Sequence, residues 1–414
     1  MKLKRAVIAL FVVVCMLVFM FTAFACNKDK TPEKSAIIVI PGLQGSILYD
    51  PVTNTPAWSA EDFTEVSLLM DALEYGYLKF NDDGLPDNEV SERLVTPDFY
   101  SASAKWKYGV NLEEVAKVKA FGLTPTVVKG LTLAIEEKYQ GTEQEVLVYQ
   151  YDWRRSNVEE AEKLENFIEG HGFTDVKFVV HSMGGILVSQ YLARSQANIE
   201  KCSLFVSIST PFYGSSEITK YMETKKLPGS FIHLKVGVDF PSAFELIPFA
   251  KFNNTAHFEE GATSLMVDGE YLSYSDAIAH FGENTEWGQN SLGEPKSMFS
   301  RLDDYYSSMF LSDGRHITQL VNSYYIQGNG RETTVTVSYK DGVYYPDGNI
   351  TQNLGDGIVP LYSGICGLSV DAENVILIEE DSTLPDKEGY VGHMALPSQP
   401  RTIAEVLKLL ESVE

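Results

Sequence analysis

The chain has 414 residues, 44% of them hydrophobic and 22% charged. Such a composition buries one large core with an insertion and excludes a disordered or low-complexity polymer. Its formal net charge of −24 becomes −27 once residues 1–25, which hold three cations and no acids, are removed; so acidic a surface repels nucleic acid and anionic membranes alike and excludes nucleic-acid binding as the function.

At the N-terminus, Lys2, Lys4 and Arg5 precede an uncharged run from Ala6 to Ala25. A charged n-region followed by an apolar h-region predicts an export signal over residues 1–25. Ala23-Phe24-Ala25 supplies the small residues a signal peptidase accepts, and cleavage there leaves Cys26 first in the mature chain. A cysteine so placed resembles the lipobox of bacterial lipoproteins, whose thiol receives a diacylglyceryl group. Lipidation at Cys26 is therefore expected, with cell-surface anchoring, and simple secretion is the alternative. An uncleaved helix is a third, since about 20 apolar residues span a bilayer.

Residues 26–35 form a polar linker. Ala36 to Ile40 is an apolar run of strand length stopped by Pro41-Gly42, which predicts a buried central strand. Residues 50–122 lack a long periodic stretch and are expected to cover the sheet's edge or a site. A helix over 124–139 and a strand over 145–151 follow, and then Ser156-Asn157-Val158-Glu159 has the form of a capping box opening a helix to about Gly170. Strands at 176–180 and 204–208 flank a helix at 186–193. This alternation predicts an α/β architecture, a mainly parallel sheet with helices on both faces.

Residues 212–318 break the pattern and are expected to form an inserted cap, leaving 36–211 and 319–414 as the core. Strand character resumes at 324–326, a hairpin is predicted over 332–345, 375–378 is the last strand of the central sheet, and 402–410 is an amphipathic closing helix. Cys15 lies in the signal, and Cys202 and Cys366 precede no metal-binding pattern, so they are expected to be buried small apolar residues.

The chemistry concentrates at Val180-His181-Ser182-Met183-Gly184-Gly185, between a predicted strand and a predicted helix. A serine there sits on a tight turn that lifts its hydroxyl above the sheet, the nucleophile elbow of the α/β-hydrolase fold, although Val180 replaces the usual first glycine. The alternative is a serine that merely caps the helix. His181 is on the wrong side of the turn to deprotonate Ser182 and is read as a buried, hydrogen-bonded histidine.

A serine hydroxyl needs a histidine to accept its proton and a carboxylate to orient that histidine, in the chain order serine, acid, histidine. Asp356, between glycines in Leu354-Gly355-Asp356-Gly357, and His393, after the last strand, fit that order. In isolation Asp356 reads as an Asp-Gly turn, and His393 as a surface-loop residue. Developing oxyanion charge needs two fixed donors. The backbone N–H groups of Met183 and of Leu43, in Pro41-Gly42-Leu43-Gln44-Gly45-Ser46, are the choices. That loop could instead cradle a phosphate.

Together these segments resemble the lecithin:cholesterol acyltransferase and lysosomal phospholipase A family of α/β-hydrolases. The resemblance rests on residues 40–46, Tyr151-Asp152-Trp153-Arg154, residues 181–184, Thr210-Pro211-Phe212-Tyr213-Gly214-Ser215, residues 355–360 and Gly392-His393, in the family's order. It implies Ser182, Asp356 and His393 as a triad, Leu43 and Met183 as oxyanion donors, and a cap shaping a lipid pocket. It also implies attack on a glycerolipid ester with release of the acyl group to water or an alcohol. One departure is that residues 50–75 hold no cysteine, whereas family members often pin a lid there by a disulfide; Trp58 is read as either an acyl-chain platform or a packing residue. A lipid or ester is the expected partner, reached at a membrane surface through the lipid anchor. No cofactor or metal is expected, because no zinc spacing or calcium loop is present. A carboxylesterase or lipase of neutral esters, and a non-catalytic surface lipoprotein on the same scaffold, are the competing readings.

Overall fold

A computed structural model describes residues 34–53, 55–58, 76–96, 126–225, 239–248, 262–384 and 389–413. The export signal, Cys26 and most of the linker lie outside the described residues. The described residues from Ser35 onward form one compact unit.

Six strands make the central sheet: β1 (Ser35–Ile40), β4 (Glu145–Val148), β5 (Asp175–His181), β6 (Cys202–Ile208), β9 (Ser323–Asn329) and β13 (Val375–Glu379). A short antiparallel pair, β2 (Leu48–Asp50) and β3 (Thr55–Trp58), follows β1. The spatial order in the central sheet is β13-β9-β6-β5-β1-β4, and every pair is parallel. The chain leaves β1 for one edge at β4, then returns across β1 to begin β5. The order therefore reverses between β1 and β5, and the crevice beyond their C-terminal ends is where such sheets place ligands.

Alternation within β1 assigns the two faces. Ile37 and Val39 join Val128, Leu131 and Ile135 of α1 (Thr126–Tyr139) and Val406, Leu409 and Leu410 of the closing helix, Pro400–Glu411. Ile38 and Ile40 join Leu164 and Ile168 of α2 (Asn157–His171) and Ile186, Leu187 and Tyr191 of α3 (Met183–Arg194). Both sides are covered, so the strands read as continuous apolar runs. The edge strands are the exceptions: the first three residues of β13 and the first two of β4 are only half-buried.

A second sheet has the order β11-β10-β7-β8, with β12 also on β10. It joins β7 (Ala262–Val267) and β8 (Glu270–Ser273), from the expected cap, to β10 (Thr333–Lys340), β11 (Val343–Tyr344) and β12 (Ile350–Gln352), from the expected core. The predicted hairpin is present as β10 and β11, but β10 also pairs in parallel with β7 through Val337 and Leu265. A pairing across 72 positions has no local signature in either strand.

The segment Tyr151-Asp152-Trp153-Arg154 locks the loops above the sheet. Arg154 is fully buried, and all five of its N–H donors are used. Nε and Nη2 reach the two Asp152 oxygens at 2.8 and 2.7 Å; Nη1 donates to Tyr77 O (2.6 Å) and Ser91 Oγ (3.0 Å), and Nη2 also to Ser91 O (3.0 Å). Burial works against the Asp152 carboxylate, yet the Arg154 charge and its hydrogen bonds hold it below its ordinary range. Trp153 Nε1 donates to Ser46 O (3.1 Å), and Ser242 Oγ donates to Trp153 O (2.7 Å), so one tetrapeptide ties the loop after β1 to the cap.

The start of α2 departs from the expected reciprocal box. Ser156 accepts from Val158 N (3.2 Å), but Glu159 turns to Arg155. Glu245, from the cap, takes the place of the box's glutamate, accepting from the Ser156 hydroxyl, Asn157 N (2.8 Å) and Asn157 Nδ2 (2.7 Å). Burial pushes the Glu245 carboxyl from 4.5 up to about 7 despite these donors.

Two stability tests follow from these ties. Arg154→Ala removes the two-point partner of Asp152, leaving Arg155 Nε at 3.3 Å, and is expected to cost about 3 kcal/mol in denaturant unfolding; a loss under about 1 kcal/mol would contradict the clamp. A carboxyl whose folded value is raised favours the folded state most fully below its unfolded value, and that advantage is lost as pH rises through about 7. Melting temperature should accordingly fall less between pH 5 and pH 8 in Glu245→Gln than in the parent, and equal falls would show that Glu245 does not titrate in that window.

Candidate active site

Ser182 follows the last residue of β5 and precedes α3, with φ 54° and ψ −131°. A non-glycine residue held there is strained, and its surroundings must keep it so. Its amide donates to Ile208 O of the next strand at 3.0 Å, fixing the turn to β6. Its side chain makes no capping hydrogen bond to α3. Helix capping, the alternative left open by the sequence, therefore does not account for this serine.

Small residues around it are required by contact distances. A Cβ added at Gly42 would stand 2.6 Å from Ser182 Cβ and 3.0 Å from its Oγ; one at Gly185 would stand 2.1 Å from Thr210 Oγ1. The loop after β1 thus runs directly against the elbow. Its shape is held by Gly45 N donating to Gly42 O (3.0 Å), Trp58 Nε1 to Gln44 O (3.0 Å) and Ile47 N to Gln150 Oε1 (2.8 Å). Trp58 is buried edge-on against Trp153 at 5.1 Å, a packing residue that also clamps this loop.

The two other residues singled out by chain order meet Ser182. His393 Nε2 lies 2.9 Å from Ser182 Oγ, and His393 Nδ1 lies 2.7 Å from Asp356 Oδ2. Asp356 is buried, and its second oxygen accepts from Ile358 N (3.0 Å) and Val359 N (2.8 Å). Burial raises its carboxyl, but the His393 ring and these two amides outweigh burial and hold it below the ordinary carboxylate range. With Asp356 ionised, the proton on the ring sits at Nδ1 and leaves Nε2 bare to accept from the hydroxyl.

His181 is buried as expected, with its ring 4.7 Å from that of His393. Burial, then the neighbouring His393, lower it to about 3. It is neutral, and its Nε2 donates to the carbonyl of His393 (3.1 Å). The His393 amide in turn donates to Asp356 O (3.1 Å), so both sides of that residue's backbone are fixed.

Leu43 follows Gly42 on the loop that abuts Ser182, and Met183 supplies the first amide of α3. An amide at that position has no carbonyl one turn earlier to bond, and it stands at the positive end of the helix dipole. Cys202 and Cys366 are buried and unbridged, and burial raises both thiols. Among the described residues, no group of three or more His, Cys, Asp or Glu side chains could hold a metal ion, and no helix is long and apolar enough to cross a membrane. The sequence reading missed the roles of Ser46, Gln44 and Gln150 in shaping the loop, because their partners lie up to 107 positions away.

The family model of lecithin:cholesterol acyltransferase matches residues 135–245, which include β4, α2, β5, Ser182 and β6. The match supports, in general terms, an enzyme acting on lipid esters. Comparison with curated proteins finds no match. Among solved structures, the Tle4–Tli4 complex aligns at a TM-score of 0.61 and 15% identity, covering 92% of this chain and 98% of that one. The lin2722 gene product of Listeria innocua aligns at 13% identity over 92% and 94% of the two chains, with a TM-score of 0.35. Bacillus licheniformis lipase BlEst2 aligns at 11% over 92% and 94%, with a TM-score of 0.33. The architecture is the α/β-hydrolase fold.

Gly42→Ala tests the packing at the elbow directly. It should lower the rate of Ser182 labelling by a fluorophosphonate at least about tenfold, since misplacement by about 1 Å can cost 10²-fold. Labelling at the parental rate would mean that the loop does not press on Ser182.

Proposed function

We propose that the protein is a serine-dependent acyl hydrolase or acyltransferase that attacks glycerolipid esters through an acyl-enzyme, exported and tethered to the cell surface at Cys26. The observation that carries this reading is the continuous hydrogen-bonded line from Asp356 through His393 to Ser182 Oγ, ending on a serine whose backbone is strained and whose side chain caps nothing.

The chemistry follows from the donor directions. As Ser182 Oγ bonds to the ester carbonyl carbon, its proton passes to His393 Nε2 and the carbonyl electron pair moves onto oxygen. The amides of Leu43 and Met183 receive that oxyanion. Collapse breaks the ester C–O bond, and the leaving alkoxide takes the proton from Nε2. Water or a second alcohol then gives its proton to the same nitrogen and attacks the acyl-serine; the acyl C–Oγ bond breaks, Oγ takes the proton back from Nε2, and the fatty acid or new ester leaves. Asp356 keeps Nδ1 protonated throughout and offsets the positive charge of the ring. An apolar chain suits the acidic surface better than an anionic membrane does; the tether supplies proximity that charge opposes.

Asp356→Asn should keep the fold and lower kcat by about 10⁴-fold, because the imidazole is then held in the wrong tautomer. Ser182→Ala should abolish hydrolysis of a phosphatidylcholine and fluorophosphonate labelling without lowering the melting temperature by more than a few degrees. Chromatography of the products, with and without a competing long-chain alcohol, separates hydrolase from acyltransferase. A phospholipid left intact while a short neutral ester is cleaved would favour a carboxylesterase, and a folded parent that neither labels nor turns over would favour a binding scaffold.

A further inference from the structure

Besides the His393 amide donating to Asp356 O (3.1 Å), the loop carrying Asp356 and the loop carrying His393 are bridged outside the triad side chains by the carboxylate of Glu380. Glu380 stands one residue past β13, and its amide donates to Asn329 O at the end of neighbouring β9 (2.8 Å). One of its oxygens accepts from Arg331 Nη1 at 2.9 Å, and the other accepts from Val391 N, two residues before His393, also at 2.9 Å. Arg331 is turned toward the acid loop. Its backbone N–H donates to Gly355 O (3.1 Å), and its carbonyl accepts from Thr333 Oγ1 (3.0 Å), whose oxygen accepts in turn from Gly357 N (3.0 Å). Both residues flanking Asp356 are thereby fastened to Arg331. The guanidinium carbon also lies 4.3 Å from the centre of the Tyr390 ring, three residues before His393.

From this arrangement we infer that Glu380, with Arg331 and Thr333, forms a positioning clamp that sets the separation of Asp356 and His393. The inference rests on the triad reading given above. None of the three touches the reacting serine in any hydrogen bond, so each acts through the loops it fastens. The Arg331 and Glu380 side chains are 31% and 30% exposed, and an ion pair so placed contributes little to global stability. Its consequence lies in geometry instead. The acid loop follows β12 of the second sheet and the base loop follows β13 of the central one, and an error of about 1 Å between them is enough to cost 10²-fold in rate. The edge position of β13 explains why a fastening is needed there, since β9 alone supports it.

The test uses the full chain and p-nitrophenyl butyrate, with fluorophosphonate labelling of the parent as the control for the triad reading. Glu380→Ala should lower kcat by about tenfold or more with KM changed less than about twofold, and should move the melting temperature by no more than about 2 °C. Glu380→Gln keeps an oxygen acceptor for one loop but turns an N–H donor toward the donor on the other, so it should lower kcat as well. On the acid side, Thr333→Val should lower kcat while Thr333→Ser restores it, which keeps the inference open to refutation if Glu380→Ala does not fold. Parental kcat in both Glu380→Ala and Thr333→Val, or losses that only follow the fall in melting temperature, would overturn the clamp. A parent that fails to label would instead refute the triad reading, a distinct result.

Discussion

Beyond the ends of β1 and β5, glycine backbone lies closer to its neighbours than a methyl group would permit. Gly42 runs against Ser182, and Gly185 runs against Thr210, each closer than a Cβ could tolerate. This crowding holds Ser182 at positive φ with its hydroxyl facing away from α3, toward His393. The strain is local, and the stability that supports it is distributed. Two apolar layers clasp the sheet, and the buried Arg154–Asp152 pair fastens the loops above.

The topology explains why the site stands where it does. The chain reverses its winding between β1 and β5, the place where such sheets put their ligands, and the loops after those two strands meet there. The first of these loops brings Leu43 and the second brings Ser182. Strands β9 and β13 then carry the chain to the loops of Asp356 and His393 at the same rim. Three residues separated by 174 and 37 positions meet because every strand of the central sheet points the same way.

Much of this was legible in the sequence, for identifiable reasons. Buried parallel strands such as Ala36–Ile40 are continuous apolar runs, and the tight elbow at Ser182 demands glycines within three residues, so both leave local marks. Asp356 and His393 were reached through chain order, because an Asp-Gly turn and a loop histidine carry little information alone. The long-range ties were not legible. Glu159 satisfied the local capping pattern, yet Glu245 holds the start of α2 from 88 positions away. The parallel pairing of β10 with β7 similarly crosses the expected boundary between core and cap, since a strand's own residues do not name its partner. Glu380 gave no signal at all, being one acid in an acidic chain.

The central claim is that Ser182 becomes acylated by a lipid ester. Its most direct test is a rapid acid quench of the protein with phosphatidylcholine, followed by mass spectrometry of the peptide containing residue 182. The account predicts a transient mass increase equal to one fatty acyl group on that serine, absent when the phospholipid is an ether analogue. An acyl group found on another residue, or turnover with residue 182 never modified, would contradict it.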